Sequence, residues 1–173
     1  MTKLGFIGAG KVGTALAVRL SGKGYPVVAI YDVKPEAAQN FAHAVSGCKV
    51  AGGKQDVADA AELVFISTTD DFINPVASEL KWRAEQMVVH CSGANTTALL
   101  EPARKQGALV GVFHPGQAFT DKKQAIENIA GATFDIEAEE PLLGKFKELA
   151  AALDGFWVEV KAADRAVFHV AEE

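Results

Sequence analysis

Residues 4–23 read LGFIGAGKVGTALAVRLSGK: a short apolar run, a glycine-rich turn and a helix-like stretch in immediate succession. Gly8, Gly10 and Gly13 fall at the G-x-G-x-x-G spacing, which gains meaning only after a strand and before a helix, with an acid about 20 residues further on. All three conditions hold, since Asp32 lies 19 residues after Gly13 at the end of the next apolar run, VVAIY. Each glycine then has a role. Gly8 makes the tight turn, Gly10 lets the backbone approach a pyrophosphate, and Gly13 permits close helix–strand packing, with Ala9, Lys11 and Val12 completing the loop. Phosphates are expected at the helix N-terminus, where unpaired N–H groups and the helix dipole favour negative charge.

The remainder of the chain repeats this alternation. Strands are expected at Leu4–Ile7, Val27–Tyr31, Lys49–Val50, Leu63–Ile66, Met87–His90, Leu109–Phe113, Thr133–Ile136 and Phe156–Val160. Helix-like stretches occupy 11–23, 35–45, 55–60, 71–80, 96–105 and 140–153, with Pro35 and Pro141 suited to first-turn positions. The pattern predicts a doubly wound α/β fold: a mostly parallel sheet of about eight strands with helices on both faces. The last two strands break the rhythm and read as an edge extension.

Composition removes several function classes. The net charge of −5 argues against nucleic-acid binding, and no basic run exceeds Lys122-Lys123. Apolar residues make up 49% of the chain, yet none of the runs approaches the ~18 residues of a membrane span. A cytoplasmic protein that takes a small-molecule substrate is therefore expected. Cys48 and Cys91 have neither metal-ligand spacing nor a disulfide framework, and no metal is expected.

Within this frame Asp32 favours NAD, because a carboxylate accepts hydrogen bonds from ribose hydroxyls and repels a 2′-phosphate; Lys34 works against that repulsion and keeps NADP open. After the fourth strand, Ser67, Thr68 and Thr69 are placed to approach the ribose and nicotinamide ends of such a cofactor, while Asp70 and Asp71 read as helix-capping acids. Two further strands, MVVHCSGAN and LVGVFHPGQAF, both run into small and polar residues. Ser92 and His114 then leave adjacent strand ends at the carboxyl edge of the sheet, where ligands of such folds bind. His114 is the candidate acid/base, its ordinary pKa being near neutrality, and Ser92 the candidate hydrogen-bonding partner of the same substrate atom. The competing roles are a turn for His114-Pro115 and a helix cap for Ser92-Gly93. Cys91, His90 and His43 read as structural.

The segments IGAGKVGTALA, HCSGANTTALLEPARKQGALVGVFHPGQAF, IAGATFDIEA and KAADRAVFH resemble the Rossmann-like oxidoreductases that carry a C-terminal helical domain of unknown function. Pyrroline-5-carboxylate reductase and the 6-phosphogluconate and 3-hydroxyisobutyrate dehydrogenases are their relatives. The resemblance implies an NAD(P)-binding domain over residues 1–160, Ser92 and His114 beside the nicotinamide, and a helical domain that dimerises and closes the site. In the family the helix continues past Phe168-His169, so residues 161–173 are expected to begin a helix leading into a domain missing from this chain, with a short terminal helix on the sheet as the alternative. Two other functions stay open: a non-catalytic dinucleotide-binding or redox-sensing module, and a pyrroline-5-carboxylate reductase, disfavoured by the VFHPGQAF loop.

Overall fold

The computed structural model describes residues 1–172, and the side chains of all of these except Phe168, His169 and Glu172. In chain order the elements are β1 (Leu4–Ile7), α1 (Lys11–Gly22), β2 (Val27–Tyr31), α2 (Pro35–Ala44), β3 (Lys49–Val50), α3 (Lys54–Ala60), β4 (Leu63–Ile66), α4 (Asp70–Glu79) and β5 (Met87–His90). A 3₁₀ turn (Thr97–Leu100) then leads into α5 (Glu101–Arg104), followed by β6 (Leu109–Pro115), α6 (Lys122–Asn128), β7 (Thr133–Ala138), α7 (Leu142–Ala152), β8 (Phe156–Glu159), a second 3₁₀ turn (Ala162–Asp164) and α8 (Arg165–Glu172).

The eight strands form one sheet in the order β3-β2-β1-β4-β5-β6-β7-β8. Only the β6–β7 pair is antiparallel, and β8 lies parallel to β7 at the far edge. The order reverses at β1, between β2 and β4, which opens a crevice at the carboxyl ends of these strands. Strand alternation sorts the core into two layers. On one face Phe6, Phe65, Phe113 and Phe134 meet α1, α2, α6 and α7, with Phe6 and Phe65 stacked at 4.9 Å and Phe113 and Phe134 at 4.5 Å. On the other, Ile7, Val64, Ile66 and Val88 meet α3, α4 and α5.

Several expectations shift. Lys122–Asn128 is helical although it reads as a loop; Asp121 caps it by accepting from Gln124 N–H at 2.8 Å. Strands β6 and β7 run two residues longer than expected because each completes the other's antiparallel ladder. Pro141 is the residue before α7, not its first turn. The β8 edge is more open than a buried strand pattern implies, with Phe156 67% exposed. Glu173, the last residue of the expected terminal helix, lies outside the described residues.

Candidate functional site

The glycine loop crosses the switch point. Gly8 takes φ +109°, a left-handed conformation that disfavours side chains, and a Cβ there would lie 2.6 Å from the Ser67 carbonyl. A Cβ on Gly13 would run into Ser67 and come within 2.9 Å of the Gly8 oxygen, so Gly13 is what allows α1 to sit against the β4 end. Gly10 is different. Its backbone is extended, and the nearest atom to an added Cβ is 3.7 Å away. No packing contact within the protein requires a glycine at Gly10, so a side chain there would project into open space at the start of α1.

Asp32 ties this loop to the end of β2. Its Oδ2 accepts from Ala9 N–H at 2.8 Å and its Oδ1 from Lys34 N–H at 2.8 Å. Ser67 donates to the Gly8 carbonyl at 2.8 Å, completing the frame from the β4 side. The frame encloses a cavity of about 590 Å³ lined by Gly8, Ala9 and Gly10, by Tyr31 to Lys34, by Ser67 to Thr69, and by Phe72 and Val76. Lys34 and Lys122 stand on its wall beside the carboxylate of Asp32, and Lys54 reaches it with its ammonium already paired to Glu79 at 2.5 Å, so the lining carries a small excess of positive charge that fits an anion. Phe72 is 60% exposed and Val33 74% exposed, giving the cavity an apolar surface as well.

Seven of the ten expected cofactor residues line this cavity: Gly8, Ala9, Gly10, Asp32, Lys34, Thr68 and Thr69. Lys11, Val12 and Gly13 do not. Lys11 turns its ammonium away to the Phe119 carbonyl at 3.0 Å, and Gly13 acts through packing. Lys54 and Lys122 are additions that the sequence pattern did not single out, because α3 and α6 bring them in from distant chain.

Ser92 and His114 lie outside the cavity wall, at the neighbouring ends of β5 and β6, and a second group of side chains gathers there. Ser92 donates from Oγ to Asp70 Oδ2 at 2.9 Å, and Asn95 donates to both Ser92 Oγ at 2.8 Å and Asp70 Oδ2 at 3.1 Å. The helix-cap role falls to Thr96, which accepts from Ala98 N–H, and not to Ser92. Asp70 sits in the first turn of α4, yet its carboxylate serves Ser92; the N-cap position belongs to Thr69. His90 is structural in a specific way. Its Nε2 donates to the Thr96 carbonyl at 2.8 Å and its Nδ1 accepts from Ser92 N–H at 3.0 Å, so neutral His90 pins both ends of the Ser92 loop. Burial pulls its pKa down to about 4.

His114 donates from Nδ1 to the Cys91 carbonyl at 2.9 Å, which turns Nε2 toward Asp135 Oδ1 at 3.9 Å. Asp135 is fully buried on β7, directly across from His114, and pairs through Oδ2 with the buried guanidinium of Arg165. Arg165 also donates to Glu137 at 3.0 Å, and Glu137 in turn accepts from Thr97 Oγ1 at 2.9 Å. Burial pushes the Cys91 thiol up to about 12 and that of Cys48 to about 11, so neither supplies a thiolate near neutrality. Among the described residues no cluster of His, Cys, Asp and Glu could hold a metal ion.

Residues 1–115 match the family model of the Rossmann-like domain. The chain belongs to that family. Over 63 residues, 36% of this chain and 18% of the relative, it is 41% identical to the mitochondrial 3-hydroxyisobutyrate dehydrogenase of Bos taurus. A candidate NADP oxidoreductase from Bacteroides fragilis superposes on 99% of this chain and 65% of its own, at 26% identity and a TM-score of 0.82. The fold also matches 3-hydroxyisobutyrate dehydrogenase of Mycobacterium tuberculosis (18% identity, TM-score 0.80, 99% of this chain and 58% of that one) and an imine reductase of Aspergillus terreus (15% identity, TM-score 0.79, 99% and 60%). This Rossmann-like chain thus spans about two thirds or less of the length of these relatives. Among the described residues no helix is long and apolar enough to cross a membrane.

Proposed function

We propose that the chain is the NAD(P)-binding domain of an oxidoreductase that transfers a hydride between a nicotinamide cofactor and a small carbonyl/alcohol or imine/amine substrate. One observation carries the reading: Gly10 is a glycine the protein does not need, at the helix N-terminus where a pyrophosphate would sit. The cavity suits the rest of a dinucleotide, with lysines for phosphate and the exposed Phe72 and Val33 as apolar surface for a base. When bound, the cofactor supplies or accepts the hydride; the protein supplies position and charge.

Of the chain's own residues, Gly8, Ala9 and Gly10 cradle phosphate, with Lys11 and Val12 giving backbone N–H groups of the first helical turn and Gly13 setting its approach. Thr68 and Thr69 face the ribose and nicotinamide ends. Asp32 has committed one lone pair of each oxygen to the loop and keeps others for ribose hydroxyls, which favours NAD, while Lys34 leaves NADP accessible. Ser92, whose proton goes to Asp70, offers an accepting lone pair to a substrate hydroxyl or amine, and His114 is the acid/base at the neighbouring strand end. The Asp70–Ser92–Asn95 triad favours an enzyme over a purely sensing module, since cofactor binding alone has no use for a carboxylate-backed serine.

Residues 1–160 form the cofactor unit on this reading, and the helix from Arg165 leads toward a second unit. Support for a homodimer comes from the family resemblance. The test is calorimetric titration of NAD(H) and NADP(H) into the wild type and Asp32→Ala. The expected result is binding of both, NAD more tightly, with the ratio moving at least several-fold toward NADP in the variant. Absence of binding by either cofactor would refute the reading, and an unaltered ratio would remove Asp32 from cofactor choice.

A further inference from the structure

The cluster behind Ser92 has an unbalanced charge. Asp135 and Glu137 share one guanidinium, Arg165, which leaves one negative charge uncompensated among the described residues. Within the same cluster Asp135 Oδ1 is fully buried and accepts no hydrogen bond. A buried carboxylate oxygen without a partner is costly. The nearest described ring nitrogen is His114 Nε2, at 3.9 Å; the Cys91 thiol also lies within its electrostatic reach. The hydrogen bond from Nδ1 to the Cys91 carbonyl decides the tautomer: were His114 neutral, Nε2 would carry a lone pair and two acceptors would confront each other.

We propose that His114 is held as an imidazolium that neutralises the Asp135–Glu137–Arg165 cluster, and that Asp135 and Arg165 are positioning residues that set its charge and orientation. The proposal rests on the reading of His114 as the acid/base of the crevice, and it names the form in which His114 waits. The 3.9 Å separation is within ion-pair range and beyond hydrogen-bond reach, so Asp135 acts on His114 through its charge. With 15% of its side chain exposed, His114 keeps access to the crevice.

The other ionisable groups packed near it among the described residues do not reverse the sign. Burial keeps the Cys91 thiol protonated and neighbouring His90 neutral near pH 7, so neither adds charge. Arg165 opposes protonation of His114, but its charge is already shared between two carboxylates. Burial of the ring opposes it as well, and among the described residues the contribution that favours protonation is the orphan Asp135 oxygen. A further consequence concerns α8: because Arg165 is its first residue, the charge state at the crevice is mechanically tied to where that helix sits.

The experiment is ¹⁵N-histidine NMR on the full chain, with His114 assigned through His114→Gln. The wild type is expected to show both His114 ring nitrogens protonated at pH 7.5, with a midpoint at least one pH unit above that of free histidine. In Asp135→Asn the midpoint is expected to fall by at least one unit, a tenfold change in proton affinity. A neutral Nδ1–H tautomer in the wild type at pH 7.5 would overturn the proposal, as would a midpoint indifferent to Asp135→Asn. Where that variant does not fold, the wild-type protonation state decides by itself, and Glu137→Gln, which also cancels the excess negative charge, is expected to lower the midpoint. NADH affinity measured on the same samples separates the two readings: failure to bind NADH counts against the cofactor domain and leaves the His114 charge state intact.

Discussion

The two halves of the sheet solve opposite problems. From β1 to β4 the site is built from backbone: glycines, N–H groups and one carboxylate that braces the turn, around a cavity of about 590 Å³. From β5 to β8 it is built from side chains, with a buried arginine, three carboxylates, two histidines and a serine drawn together from α4, β5, β6, β7 and α8. The first half leaves an open cavity, the space that the proposed cofactor would fill. The second spends its polar groups on one another and presents only a few outward. On the proposed reading, a cradle of this kind can serve many dinucleotide enzymes, and the charge arrangement at the β5 and β6 ends is the part that is particular to this chain.

The sharpest way to break this contrast is to remove the arginine. Arg165→Met leaves two carboxylates facing each other in the core, and removing one partner of a buried pair costs about 3–5 kcal/mol. Urea denaturation of wild type and variant should show it; a loss near zero would mean that the β5–β8 half is not held by charge. Next comes pH. Folding keeps His90 neutral by pulling its pKa down to about 4 from an ordinary 6.5, so the stability it confers is complete above pH 6.5 and declines as pH falls through about 4. The loss is on the order of 3 kcal/mol. Denaturation midpoints followed across that range should slope downward in the wild type and flatten in His90→Gln, which can keep both hydrogen bonds; equal slopes would contradict the assignment.

Gly8→Ala is smaller and belongs to the cradle. Its positive φ and the Ser67 backbone behind it predict a stability loss of about 1–3 kcal/mol, readable in a thermal melt. Unchanged stability there would undo the division between structural and ligand-directed glycines. Smallest in stability, and most informative, is Gly10→Ala, whose added methyl meets no protein atom within 3.7 Å.

The same contrast explains what was legible in the sequence. The cradle is local: Gly8 to Gly13 and the strand carrying Asp32 lie within one β-α-β unit, so spacing alone exposes them. Most of the strands also announce themselves as short apolar runs between turn residues, the exposed two-residue β3 (Lys49–Val50) being the exception. The cluster is non-local, and its members are ordinary one at a time. Asp135 and Glu137 sit two apart in TFDIEA, hence on one face of a strand whose other face, Phe134 and Ile136, is core. Two acids on such a strand demand a cation, and that periodicity was the available signal; no spacing rule points from there to Arg165. Helix α6 is hard to see in the sequence because KKQAIEN offers little apolar stripe, although Asp121 followed three residues later by Gln124 is a capping pattern. Ser92 and His114 were found by position at the strand ends, but their partners Asp70, Asn95 and Asp135 appear only once β4, β5, β6 and β7 are side by side.

The claim on which the account turns is that the first half of the sheet is a dinucleotide site kept open by Gly10. Calorimetric titration of NADH into the wild type and Gly10→Ala, with both melting at the same temperature, tests it. The account predicts a loss of affinity of at least roughly tenfold, about 1.4 kcal/mol, in a variant as stable as its parent. Equal affinity in the two proteins would show that the ligand, if any, does not lie against that backbone.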